Sequence, residues 1–354
     1  MGIGLHAYAT SQDLSVKPSV MDQKFMLAIE ENDCRTIAAF IQDGQNVNSQ
    51  NFFGYTPLHY ASKKGSKKVV ALLIQSHALL DQVSAKNGNT PLLLAVREGY
   101  KDIVSLLLAA GANVEIVNHK GYNALHLAIQ HHREDLVALL LQAGASSCTY
   151  TREGYSCLSA AIRVGSLPIV QLLLQQKEVS QSQDHQGYTE LHWAVKQNAV
   201  DTFRRLLLSR RFNINAKAKN NATSLHLAAA NQKINPRLLK CLFKVPLLEV
   251  NVQDITGNTP LHYAVVKNQL GVVCSLLEYG SVDVNIQNQV GQTALHYAVQ
   301  NNNMVIVKKL LAYTGIDVTL KNKKDLTPIE LAMAYKHFKI SKLLWAYKDL
   351  IGID

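Results

Sequence analysis

Thr56-Pro57-Leu58-His59-Tyr60-Ala61 returns intact as Thr259-Pro260-Leu261-His262-Tyr263-Ala264. Between and beyond them lie looser copies, which begin at Thr90, Asn123, Ser156, Thr189, Thr223, Thr293 and Thr327. Successive copies are spaced by 34, 33, 33, 33, 34, 36, 34 and 34 residues. Two residues ahead of each stands a turn former: Gly54, Gly88, Gly121, Gly154, Gly187, Asn221, Gly257, Gly291 and Asp325. Nine copies with so little drift make the chain a repeat array, and a period of this size sets the architecture before any local reading.

Each copy has a physical rationale. Thr supplies an N-cap oxygen, and Pro at the first helical position gives up an N–H that has no intrahelical partner there. The Leu and Ala that follow face inward as a short first helix. About ten residues on, a second apolar stripe appears, as in Ile103-Val104 with Leu106-Leu107 and Ile169-Val170 with Leu172-Leu173, which is the spacing of one helical face. Gly or Asn then ends the helix, as at Gly111 and Gly280. A unit this small leaves apolar flanks that only its neighbours can cover, so the array stacks in one dimension.

The pattern resembles the ankyrin repeat family, whose unit of about 33 residues carries a T-P-L-H-x-A signature. The resemblance covers roughly residues 21–354. It implies an all-α repeat fold, a solenoid of helix-turn-helix units joined by β-turn or hairpin loops, with about nine repeats and an N-terminal cap. Residues 1–20 read as a flexible lead and 21–354 as a single ankyrin-repeat domain. Within it, 21–50 is the cap, with Phe25, Leu27, Ile37 and Phe40 pointing inward; 51–320 holds the repeats, and 321–354 is the C-terminal capping repeat. The copy from Asn221 to Asp254 is the least regular. An extra stretch, Asn231 to Pro236, lengthens its interhelical link, and Pro236 is expected to start its second helix.

Composition narrows the function classes. Apolar residues make up 47% and charged residues 18% of the 354, enough for a core and without a disorder signature. No apolar run nears the roughly 20 residues that span a bilayer, and the first residues lack the plan of a signal peptide. The five cysteines, scattered and without CxxC pairs, are expected to be reduced and mostly buried thiols of a cytoplasmic protein.

No enzyme constellation emerges. There is no P-loop, no HExxH and no GxSxG, the nearest approach failing at Leu158. Six histidines (His59, His126, His192, His226, His262, His296) share one motif position; the family resemblance makes that histidine structural, bonded to neighbouring turn backbone. His131-His132 fills the helix–helix turn where other copies carry Gly, and Cys157 replaces the motif proline without an orienting carboxylate at a fixed offset. The chain is therefore expected to be no enzyme, with no cofactor and no metal.

The resemblance implies that turns and first helices form a concave partner-binding face. Tyr55, Tyr122, Tyr155 and Tyr188 follow turn glycines directly, and Lys63, Lys64, Arg97, Arg163, Lys196 and Lys267 sit at first-helix ends. Rigid aromatic area with directional cations suits an acidic or extended protein segment. Residues 196–244 also hold eleven basic residues against Asp201 alone. Arg204, Arg205, Arg210, Arg211, Lys217 and Lys219 are thus the candidate patch for an alternative function, binding a polyanion such as nucleic acid or anionic lipid. Aromatics are not interleaved with these basics as nucleic-acid recognition wants. The expectation is a monomeric protein-interaction scaffold. Its Asn-, Gln- and Lys-rich, degenerate repeats resemble ankyrin-repeat effectors that intracellular bacteria deliver into a host cytosol, and a eukaryotic regulatory ankyrin protein is the alternative setting.

Overall fold

A computed structural model describes residues 23–352; the expected lead 1–20 lies outside them. Among the described residues twenty helices form ten pairs. They fall into two compact units, one ending at Ser146 and one beginning at Ser147.

The first unit pairs α1 (Gln23–Glu30) with α2 (Cys34–Gln42), α3 (Pro57–Lys64) with α4 (Lys67–Gln75), α5 (Pro91–Glu98) with α6 (Lys101–Ala109), and α7 (Ala124–Gln130) with α8 (Glu134–Gln142). The second pairs α9 (Cys157–Val164) with α10 (Leu167–Leu174), α11 (Glu190–Lys196) with α12 (Val200–Leu208), and α13 (Ser224–Ala230) with α14 (Pro236–Leu242). It continues with α15 (Pro260–Val266) and α16 (Leu270–Glu278), α17 (Ala294–Gln300) and α18 (Met304–Leu311), and α19 (Pro328–Ala334) and α20 (Phe338–Leu350). Within each unit the first helix of a pair packs on its partner and on the next first helix, so first helices form one layer and second helices another.

The motif accounts for the core. Its Leu is buried in the eight copies that carry one, from Leu58 to Leu295, and its Ala, from Ala61 to Ala332, is fully buried in all nine. In the second helices Ile103, Val104 and Leu107, like Ile169, Val170 and Leu173, face the core, while Leu106 and Leu172 are half-buried. The cap departs from expectation at Leu27, which is 53% exposed. Phe25 already takes the inward direction, and a residue two positions later on a helix points about 200° away. Ala28 and Ile29 fill the core instead.

Turns join the pairs, and among the described residues the only bridge is the isolated antiparallel one between Tyr150 and Ser156. All nine expected turn formers are left-handed, including the non-glycines Asn221 (φ 58°) and Asp325 (φ 60°). At Gly187 the need for glycine is also steric: a Cβ there would lie 2.6 Å from the backbone nitrogen of Lys219 in the next turn. That nitrogen donates to the Gln186 carbonyl at 3.0 Å, and the same link joins Gln289 to Thr256 and Lys323 to Val290.

The motif histidines bind repeats together. The backbone N–H of Thr56 donates to Nδ1 of His59 at 3.0 Å, which makes Nδ1 an acceptor and leaves Nε2 to donate to the Asn89 carbonyl at 3.0 Å. His192, His226, His262 and His296 repeat this, reaching the carbonyls of Ala222, Asn258, Gln292 and Leu326. Burial pushes His59 and His262 down to about 4 and holds His192, His226 and His296 below the ordinary imidazole range.

The least regular repeat differs in the backbone. Elsewhere a left-handed residue, Gly65, His132 or Asn198 for example, ends the first helix and the second begins two residues later. Here Asn231 is extended (φ −84°, ψ 104°) and α14 starts at Pro236 behind an Asn235 N-cap, as the sequence led us to expect. α14 packs on α12, whereas toward α16 it is joined more loosely, through the rings of Phe243 and Tyr279 at its C-terminal end, 5.9 Å apart.

Candidate functional site

In the second unit, four of the candidate partner-binding residues converge. Asp184 caps its turn by accepting the backbone N–H of Gln186 at 2.8 Å and of Tyr188 at 2.9 Å on Oδ1. Its Oδ2 accepts the indole N–H of Trp193 at 3.0 Å. Trp193, in the middle of α11 and only 6% exposed, packs against two tyrosines. The ring centroids of Tyr155 and Tyr188 each lie 5.8 Å away, at interplanar angles of 77° and 85°, favourable edge-to-face geometries.

Two cations cover this aromatic group. Arg163, in the last turn of α9, lays its guanidinium 3.7 Å from the Tyr155 centroid and 5.0 Å from that of Trp193. Lys196, at the end of α11, holds its ammonium 4.6 Å from Trp193 and 5.4 Å from Tyr188. Trp193 and Lys196 are three apart and share a helix face. Both cations are exposed, and neither has an ion-pair partner among the described residues. The tyrosines are therefore not bare anchors: exposed cations lie close to their rings.

The other candidates are distributed differently. In the first unit Tyr122 and Arg97 line a cleft of about 360 Å³ with Lys86, His119 and Lys120. Arg97 is engaged with Glu98 at 2.7 Å, and Tyr122 stacks on His126. Tyr55 packs edge-on against His59. Lys63 and Lys64 are exposed in the last turn of α3, and Lys267 is exposed as the C-cap of α15; no aromatic platform holds them.

The polyanion candidates do not form one patch. Arg205 donates to the Gln171 amide oxygen from Nε and Nη2, 2.9 Å each, while Arg211 donates to the carbonyls of Gln176 and Val179. Lys217 and Lys219 belong to the turn ahead of α13, away from α12, and Arg210 is a left-handed residue beyond the end of α12. Arg204 alone turns toward α14, where it meets Arg237, Lys240 and Lys244 around a cleft.

Among the described residues no group of three or more His, Cys, Asp or Glu is placed to hold a metal ion, and no helix is long and apolar enough to cross a membrane. Of the cysteines only Cys157 is buried; Cys148 is exposed and the others are half-buried, against the expectation of mostly buried thiols. Glu190, buried at a motif position that elsewhere holds Pro, Ala, Ser or Cys, accepts from the hydroxyls of Ser156 and Ser182 and from the Ser182 N–H, and burial raises its pKa. It ties α11 to its turn.

Sequence reasoning missed Trp193 and Asp184. The available signal was that Trp stands where the two intact motifs carry Tyr, nine residues after an acidic turn residue. Tyr263 repeats the arrangement, donating to Oδ2 of Asp254 at 2.7 Å.

A family model described as ankyrin repeats (3 copies) matches residues 25–118, 77–152, 146–218, 191–288 and 280–353. No curated protein matches the chain.

Proposed function

We propose that this chain, which belongs to the ankyrin repeat family, is a non-enzymatic scaffold holding a protein partner by an acidic, extended segment. Ankyrin repeats are in general protein-interaction modules. The segment lies across the first-helix face of the second unit, centred on Arg163, Trp193 and Lys196.

The observation that carries this reading is the pair of cations without ion-pair partners that lie against an aromatic platform held by Asp184. Stacking restricts two long side chains before any partner arrives, so less entropy is lost on binding. A guanidinium whose carbon lies 3.7 Å from a ring centroid, on an exposed side chain, still has N–H groups for bidentate donation to a carboxylate. The partner's acidic groups dock on Arg163 and Lys196, and its flanking backbone follows the turns that present Tyr155 and Tyr188. The Asn-, Gln- and Lys-rich composition supports a setting in a host cytosol, reached by an effector of an intracellular bacterium.

Affinity capture from eukaryotic cytosol, at about 150 mM and about 500 mM salt, tests the reading with wild type beside Arg163→Glu/Lys196→Glu. A discrete protein retained by wild type and lost from the variant supports it. Capture that survives charge reversal overturns it.

A further inference from the structure

The second-helix side of the irregular repeat carries a different kind of site. α12 and α14 bound a cleft of about 750 Å³, within the size range of small-molecule pockets. Its floor is apolar: Leu207, Phe212, Ile214, Val245 and Pro246, with Leu208 at the edge. Phe212 and Ile214 are nearly covered, whereas Leu208 is 73% exposed. Around this floor stand Arg204, Arg237, Lys240 and Lys244, all exposed, with no carboxylate in the lining and no ion pair among the described residues. Long basic side chains on an apolar floor keep their stems along the grease and their heads at the mouth.

The irregular repeat supplies one wall of this arrangement. Its two-residue insertion replaces the usual left-handed turn and shortens the second helix to seven residues. A second hollow of about 570 Å³ opens on the α16 side, again bordered by Lys240 and Lys244. Arg237 sits exposed in the first turn of α14, where the helix dipole slightly disfavours a cation.

We infer that the cleft between α12 and α14 binds an anionic single-chain amphiphile, with its acyl chain on the floor and its head group among Arg204, Arg237, Lys240 and Lys244. Charge complementarity selects the anion and the apolar floor selects the chain. The shape favours a chain over a helical peptide: the bounding helices are only about 13 Å and about 10 Å long. A docked helix would also need anchors repeated over several turns. The site lies on the second helices and is independent of the first-helix face proposed above.

Isothermal titration calorimetry with dodecyl phosphate below its micelle concentration tests the inference. The comparison ligands are inorganic phosphate, dodecyl maltoside and an acidic amphipathic peptide. Saturable binding of one dodecyl phosphate per chain is expected, at least tenfold tighter than each comparison ligand. Arg237→Glu/Lys240→Glu and, separately, Leu208→Asp should each weaken it at least tenfold while keeping the wild-type thermal melt. Leu208 is exposed enough that the second variant folds even if the first does not. Absence of saturable binding overturns the inference, as does equal binding of dodecyl maltoside or of inorganic phosphate. Tighter binding of the peptide, or undiminished binding in folded variants, overturns it too.

Discussion

Trp193 donates its indole N–H to Oδ2 of Asp184 at 3.0 Å, while Oδ1 of the same carboxylate holds the turn that presents Tyr188. One buried side chain thereby positions both a helix residue and a turn residue of the aromatic platform. Asp184→Ala leaves three donors without their acceptor and should cost about 2–3 kcal/mol. Urea unfolding monitored by tryptophan fluorescence in a Trp345→Phe background measures the loss and the changed environment of Trp193. An unchanged midpoint would contradict the assigned role.

Arg163→Lys keeps the charge but removes the planar group that lies 3.7 Å from the Tyr155 centroid. Stability should move by less than about 0.5 kcal/mol, because the site is exposed. Partner affinity should fall about tenfold, the loss of bidentate donation to a carboxylate. Equal affinity of the two proteins for the captured partner would show that the guanidinium geometry is immaterial.

The buried histidines make the fold acid-sensitive. A histidine whose folded pKa is depressed binds fewer protons folded than unfolded, so its contribution is complete above the unfolded value of about 6.5. For His59 and His262 that contribution is lost as pH falls toward about 4. Each corresponds to about 3 kcal/mol across that window. The urea midpoint should therefore drop steeply between pH 7 and pH 4.5, and less steeply in His262→Asn. A midpoint that rises on acidification would refute this account.

Leu247 is a branched residue held at φ 63° with 89% of its surface exposed. It carries left-handed strain of about 1–2 kcal/mol without burial to offset it. Leu247→Asn should raise stability by about 0.5–1 kcal/mol, since Asn tolerates this region. Thermal melting decides; a lower midpoint would mean that the leucine makes a contact its exposure does not reveal.

The period, the caps, the left-handed turn at Asn221 and the start of α14 at Pro236 were legible because each is a local demand of backbone geometry. Side-chain convergence was less so. Arg204 and Arg205 read alike in sequence, yet adjacent residues on a helix point about 100° apart; one turns to the α14 cleft and the other to Gln171. Trp193 drew no separate reading in the sequence, because an aromatic at that motif position repeats Tyr60 and Tyr263. Only its distance to Arg163 and Lys196 gives it a second role. The cleft itself depends on how α12 and α14 stand beside each other, which no single stretch of sequence states.

The histidine links run one way along the chain. Each Nε2–H reaches forward to a carbonyl in the following repeat, never back. Removing a repeat from the C-terminal end of the second unit uncovers the imidazole of the repeat before it, and the burial that depresses its pKa is relieved. Trimming from the other end leaves only a carbonyl that water can serve. The second unit thus gains a titrating group where its C-terminal end is trimmed and none where its other end is, so a chain cut in the turn before α19 should bind a proton near neutral pH at His296 that the intact chain does not.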